Sequence, residues 1–371
     1  MATLLVVINL LNCLFFHLSR NLILYTESVS VTKECIGDLW RMGVIASMAT
    51  LVALVMLRWL DALEGAIVFA FTFNQSLHER RLEIFRSTLS FKRYLQTACA
   101  RPILNMVGLA TLMWLSEADI SPLAFLSVLA LSPLLACFAK RSSGDAWLTW
   151  RKPAWKAATF LLPKAMMVTV AASYLFWADA ALKYVSRTVL SGDDFGEYAV
   201  LSDLLLPGLW VLSSALAWDF VPTIVRTDST GKMRAFVSKT LSMAVLLVVV
   251  LVVAFLIPDI CWQGKQVSVQ KQLPLVAAVS LSVYLSTIAF PVLIVTDRLV
   301  ISVLLSVGGV VAMMFIFMFL RLSGFGWPLL FHPSWLLLGV NVVVVLLVIV
   351  MIFKEETHGL GVKKGKMHSF C

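Results

Sequence analysis

The sequence predicts an all-α, polytopic membrane protein of about eleven transmembrane helices, and three observations carry that prediction. Hydrophobic residues make up 60% of the 371 and charged residues 14%, against roughly 25% charged in a soluble domain. Mean hydropathy is +0.91, and a water-soluble core cannot hide that much apolar surface. The charges in the gaps between apolar segments alternate in sign. Alternation of that kind is the mark of a chain threaded back and forth through a bilayer.

A span needs about 20 mostly apolar residues. In order, the spans fall near 2–18, 40–60, 63–76, 97–116, 120–139, 157–182, 197–221, 237–257, 273–296, 299–320 and 334–353. Segment 2–18 has no basic stretch before it and no small-residue cleavage site after it, so it reads as an uncleaved span rather than a signal peptide. The stretches 240–257 and 336–353 are aliphatic and free of charge. Their length without alternation excludes barrel strands. Trp40, Trp59, Trp114, Trp262 and Trp327 lie near span ends, where interfacial aromatics belong.

Every second gap is basic. One set holds Arg20 and Lys33; Arg80, Arg81, Arg86, Lys92 and Arg93; Lys140, Arg141, Arg151, Lys152 and Lys156; Arg226, Lys232, Arg234 and Lys239; and the tail lysines. The opposite gaps hold Asp61 and Glu64, Glu117 and Asp119, and Asp193, Asp194 and Glu197, with Lys265 and Lys271 breaking the pattern. The positive-inside rule places the basic gaps and the C-terminus in the cytoplasm and the N-terminus outside. The net charge of +9 is therefore topological, and the same loops suit anionic membrane lipids as partners. No basic stretch is interleaved with stacking aromatics, which excludes nucleic acid.

No gap exceeds about 20 residues, well below the roughly 40 needed to fold alone. That argues against a fused nucleotidase, and no Walker sequence is present. It also argues against a glycan polymerase, ligase or acyltransferase working through a large outer loop, so the expectation is a non-enzyme. The five histidines are dispersed and the six cysteines match neither a zinc spacing nor a disulfide framework, so no metal and no cofactor is expected.

Ionisable residues at bilayer depth usually face a cavity or a partner. Asp179, Lys183 and Arg187 repeat at spacing four and form one helical stripe, with Lys164 about four turns below. Asp203 lies one to two turns into the next span, ahead of Pro207, a candidate flexing point. Asp219 precedes Pro222. Basic groups are modestly ahead of acidic ones, which suits an anionic, phosphorylated substrate because guanidinium grips phosphate oxygens in pairs.

The stretch YLFWADAALKYVSRTVLSGDDFGEYAVLSDLLLPGLWVLSSALAWDFVP at 174–222 resembles the start of the second half of the polysaccharide (O-antigen and exopolysaccharide) flippases. These belong to the multidrug/oligosaccharidyl-lipid/polysaccharide exporter superfamily. The resembling pattern is a span with an Asp and basic residues, a short outer G-x-x-x-G-x-Y turn, and a helix with a Pro near its inner end. It falls here on Asp179, Gly192, Gly196, Tyr198 and Pro222. The two glycines are expected to allow a tight turn, with Asp193, Asp194 and Glu197 stabilising the next helix N-terminus. The basic loop 78–93 and the central basic loop agree in layout.

The resemblance implies two helical bundles, 1–139 and 157–353, joined by a cytoplasmic linker at 140–156 and followed by a basic tail at 354–371. It implies the twelve-span flippase fold without its usual first helix. The implied function is translocation of undecaprenyl-pyrophosphate-linked oligosaccharide from the cytoplasmic to the outer leaflet of a bacterial inner membrane, by alternating access. Arg20, Lys183 and Arg187 would hold the pyrophosphate, and Asp179 or Asp203 would couple the cycle to an ion gradient. Polysaccharide polymerase or assembly proteins would be partners. The alternatives are a cation-coupled small-molecule or drug antiporter of the same superfamily, a membrane-embedded polymerase or ligase, and a non-transporting assembly subunit.

Overall fold

In the computed structural model the aliphatic runs form helices. Residues 7–8, 11–16, 19, 22–23, 33–115, 121–138, 155–227, 229–262, 264–296, 298–322 and 333–357 are described. After a π-helical turn at Asn12–Phe16, the helices of the first half are α1 Lys33–Met56, α2 Ala62–Ser87, α3 Phe91–Leu115, α4 Pro122–Phe138 and α5 Trp155–Ala172. Those of the second half are α6 Tyr174–Val189, α7 Gly192–Leu216, α8 Phe220–Arg226, α9 Ser229–Leu256, α10 Leu273–Tyr284, α11 Phe290–Val295, α12 Leu299–Leu322 and α13 Pro333–Thr357. A hairpin of β1 Asp259–Trp262 and β2 Lys265–Ser268 is the one piece of β structure among the described residues; Gly264 supplies its positive φ of 77°. Seven of the described helical segments are long and apolar enough to cross a membrane, or eight if one bent pair is a single span. The chain is a multi-pass helical membrane protein.

The chain divides into two compact units, Met1–Thr169 and Val170–Cys371, with the division inside α5. Most of the span at 2–18, Arg20, all but the last two residues of the basic linker, and the tail beyond Thr357 lie outside the described residues.

In the first unit α2 packs on α4. Val68 and Leu126 are fully buried, and the Asn74 amide donates to the Ala130 carbonyl at 2.9 Å. The sequence reading ends the third span at 76 and makes 78–93 a basic loop. Instead α2 continues to Ser87, and His78, Arg80 and Arg81 are buried. Arg80 lies over the Trp40 ring, 5.3 Å from its centroid, while the Trp40 indole N–H donates to Ser76 at 3.2 Å. Trp40 is thus a core residue two turns into α1, not an interfacial anchor. Trp59 and Trp114 are exposed, as membrane-interface residues should be.

The expected span 157–182 crosses the division between the units and is two helices, α5 and α6, broken at Ser173. No proline or glycine lies there; Pro163 is well inside α5. The backbone groups released by the break find side-chain partners. Leu175 N–H donates to Ser286 Oγ at 3.0 Å, and Ser306 Oγ donates to the Val170 carbonyl at 3.3 Å.

Around that break a buried polar knot ties four elements together. The Tyr174 hydroxyl donates to Asn341 Oδ1 at 2.6 Å. The Asn341 amide nitrogen donates to the Ala278 carbonyl and to Ser282 Oγ, each at 2.8 Å. Phe290 meets the Tyr174 ring edge-on at 5.3 Å. Gln270–Val295 is the most buried of the candidate spans and contains a π-helical turn at Leu285–Ala289 before Pro291.

Candidate functional site

The turn at 190–192 brings α6 and α7 side by side. Ser191 caps α7: its Oγ accepts from Asp194 N–H at 3.2 Å, and Asp193 and Asp194 occupy the first turn. Acidic residues at that position complement the positive helix end. Glu197 does something else: its Oε1 accepts the Ser268 N–H and ties the β hairpin to α7. The glycines do not make the turn, since neither Gly192 nor Gly196 has a positive φ; both lie within α7. Ser191 and the acidic turn perform that task.

Lys183 of α6 sits between two carboxylates. Its Nζ lies 2.8 Å from Asp179 Oδ2 on its own helix and 2.6 Å from Asp203 Oδ1 on α7. Asp179 Oδ1 also accepts Ser202 Oγ at 2.8 Å. Tyr198 is buried beside this group, next to Ser186 and Ser202. Exposure rises across the cluster: Asp179 is 16% exposed, Lys183 30% and Asp203 70%. Asp203 is eleven residues after Gly192, so it stands about 16 Å along α7. That is three turns into the helix rather than one or two, because α7 begins before the apolar run does.

Hydrocarbon does not accept an exposed carboxylate. The face carrying Asp203 and Lys183 must meet water or a polar partner. Locally, one ammonium serves two carboxylates, so the group is acidic by one charge. Arg187, one turn further along the stripe, is exposed and makes no ion pair among the described residues. It balances the group without touching it.

Of the residues singled out from sequence, the structure joins Asp179, Lys183 and Asp203 and leaves Arg187 in the last turn of α6. Lys164 is on α5, in the first unit. Arg20 lies outside the described residues. Pro207 does not break α7, which is continuous to Leu216. The break comes at Ala217–Asp219, and Lys239 of α9 closes it, with its Nζ 2.8 Å from both the Leu216 carbonyl and Asp219 Oδ1. Among the described residues no group of three His, Cys, Asp or Glu side chains converges to hold a metal ion. A cavity of about 150 Å³ lined by residues of α7, α9, α10 and α13 is below the roughly 300 Å³ of a small-ligand site, and a larger one of about 550 Å³ between α12 and α13 is lined by apolar residues alone.

No protein-family model matches the chain, and neither does any curated protein. Two solved structures share its fold. One is a MOP superfamily transporter from Pyrococcus furiosus Vc1, described as having a binding pocket of reverse polarity that suggests a different function. It superposes with a TM-score of 0.57 at 13% identity, over 96% of this chain and 93% of that one. The other is a multidrug resistance MATE family transporter of the MOP superfamily in an outward-facing conformation, with a TM-score of 0.57 at 11% identity, over 96% of this chain and 88% of that one. The chain therefore has the many-helix fold of MOP superfamily transporters.

Proposed function

We propose that the chain is a transporter of that superfamily and that its substrate is an anionic, lipid-linked oligosaccharide carried between leaflets by alternating access. One observation carries this reading: the exposed Asp203–Lys183–Asp179 bridge set deep in two apolar helices. A polar group at that depth marks a path for something other than lipid. In a static scaffold the same positions would serve better as apolar residues.

The bridge suggests how the cycle is gated. With both carboxylates ionised, Lys183 is fully engaged and offers nothing to an anion. Protonating Asp203, or binding a cation in its place, releases one of the two partners. Lys183, with Arg187 beyond it, then becomes a cationic pair for a phosphate. Asp179 and Asp203 are the coupling residues in this reading, and Arg20 the third anion ligand.

A cation-coupled drug antiporter is the second reading, favoured by the excess of one carboxylate in the bridge and by the fold shared with a MATE transporter. Cells with and without the gene separate the two. We expect its loss to trap lipid-linked oligosaccharide in the cytoplasmic leaflet and deplete surface polymer, and the wild-type chain to reverse both. Lys183→Ala and Arg187→Ala should not reverse them. Unchanged lipid-linked sugar with increased drug sensitivity would replace the flippase by the antiporter.

A further inference from the structure

At the opposite end of the second unit from the hairpin, a cavity of about 460 Å³ opens between α8 and the start of α9. Asp219, Thr223, Thr227, Arg234, Ser238 and Lys239 are among its lining residues. Unlike the apolar cavity between α12 and α13, it is lined chiefly by charged and hydroxyl residues. The Lys239 ammonium is bound to Asp219 at 2.8 Å, so these two cancel. Arg234 is exposed and makes no ion pair among the described residues, which leaves the described lining one positive charge in excess.

The surface continuing from this cavity matters as much as the cavity. Arg234, Ser238, Leu241, Val245, Val248 and Val252 are all exposed. Their spacings of three and four put them on one face of α9. This face is polar for its first turn and purely aliphatic for the next three. From Leu241 to Val252 is eleven residues, about 16 Å of helix, the depth of one leaflet's hydrocarbon. A cationic pocket leading directly onto an apolar stripe of one-leaflet length has the shape of an anionic phospholipid, with its phosphate in the pocket and its acyl chains along the stripe.

We propose that this cavity is a binding site for the phosphate of an anionic membrane lipid. Arg234 is its ion-pairing ligand, the Thr223 and Ser238 hydroxyls donate to the phosphate oxygens, and Leu241–Val252 contact the chains. The Lys239–Asp219 pair forms the floor, stitched to the broken end of α7. The basic end of α9 places the site in the cytoplasmic leaflet, where anionic lipid is attracted.

The test uses the full chain in nanodiscs of phosphatidylcholine containing a minor share of spin-labelled phosphatidylglycerol, read as the fraction of label immobilised. Wild type should immobilise phosphatidylglycerol in preference to a spin-labelled phosphatidylcholine. Arg234→Gln should lower that preference about tenfold, as expected for a charge-assisted contact made directly to the phosphate. Thr223→Val should lower it less, and Lys232→Gln, at the same helix end but outside the cavity, should leave it unchanged. Arg234 is exposed, so its replacement should leave elution as a single species intact; Thr223→Val provides a second, uncharged probe. An equal loss for Lys232→Gln and Arg234→Gln would mean diffuse surface attraction and would overturn the site. Displacement of the label by inorganic phosphate would replace the lipid by a free anion. No preference in wild type would also reject the proposal.

Discussion

Tyr174 and Asn341 are 167 positions apart and share a 2.6 Å hydrogen bond in a fully buried setting. The pair fixes the start of α6 against α13, immediately beside the break at Ser173. Asn341 spends its remaining donors on α10, so one amide holds three helices.

Removing each partner should have unequal effects. Tyr174→Phe deletes one bond and should lower stability by about 1 kcal/mol. Asn341→Ala strands the Tyr174 hydroxyl as well as leaving a void, and should cost about 1–3 kcal/mol. Thermal unfolding of the purified chain in detergent measures both. If Asn341→Ala melts with wild type, the knot is not a structural tie.

Exposure ranks the two carboxylates that hold Lys183. Asp203→Asn removes the more exposed partner and should change stability by less than about 0.5 kcal/mol, since surface ion pairs contribute little. Asp179→Ala also removes the acceptor of Ser202 and should destabilise more. Transport should fall in both. A variant that unfolds readily yet transports normally would reverse the assignment of coupling to this pair.

Close packing makes a third prediction. A methyl group on Gly43 of α1 would stand 2.5 Å from the Phe15 carbonyl oxygen, so backbone must move. Gly43→Ala should cost about 1–3 kcal/mol, whereas Gly308→Ala on α12 meets open space and should be neutral or slightly stabilising. Equal melting of the two would show that the π-helical turn at Asn12–Phe16 does not press on α1.

The spans were legible because length and aliphatic content alone decide them, as the runs at 240–257 and 336–353 illustrate. The break at Ser173 was not, because VAASYLFWA contains nothing that breaks a helix. Its cause lies more than 110 positions away, in Ser286 and Ser306. The burial of Arg80 was hidden in the same way. A run of basic residues reads as a solvated loop until Trp40 supplies an aromatic surface from another helix. At the candidate site, Asp179–Lys183 follows from helical spacing. The Lys183–Asp203 contact depends on how α6 packs on α7 and has no local signal. The hairpin could have been suspected from Gln263-Gly264 between Trp262 and Lys265, although strands so short carry little pattern.

The π-helical turn at Leu285–Ala289 holds one residue more than an α-helix would need between the same two faces. A single-residue deletion there should close the turn into α-helix while leaving α10 and α11 facing as they do. A deletion in the continuous helix α12 would instead rotate everything after it by about 100° and expose its buried side. Related sequences of differing length should therefore gain or lose their residue here, in the midst of a buried span, rather than only in the loops outside it.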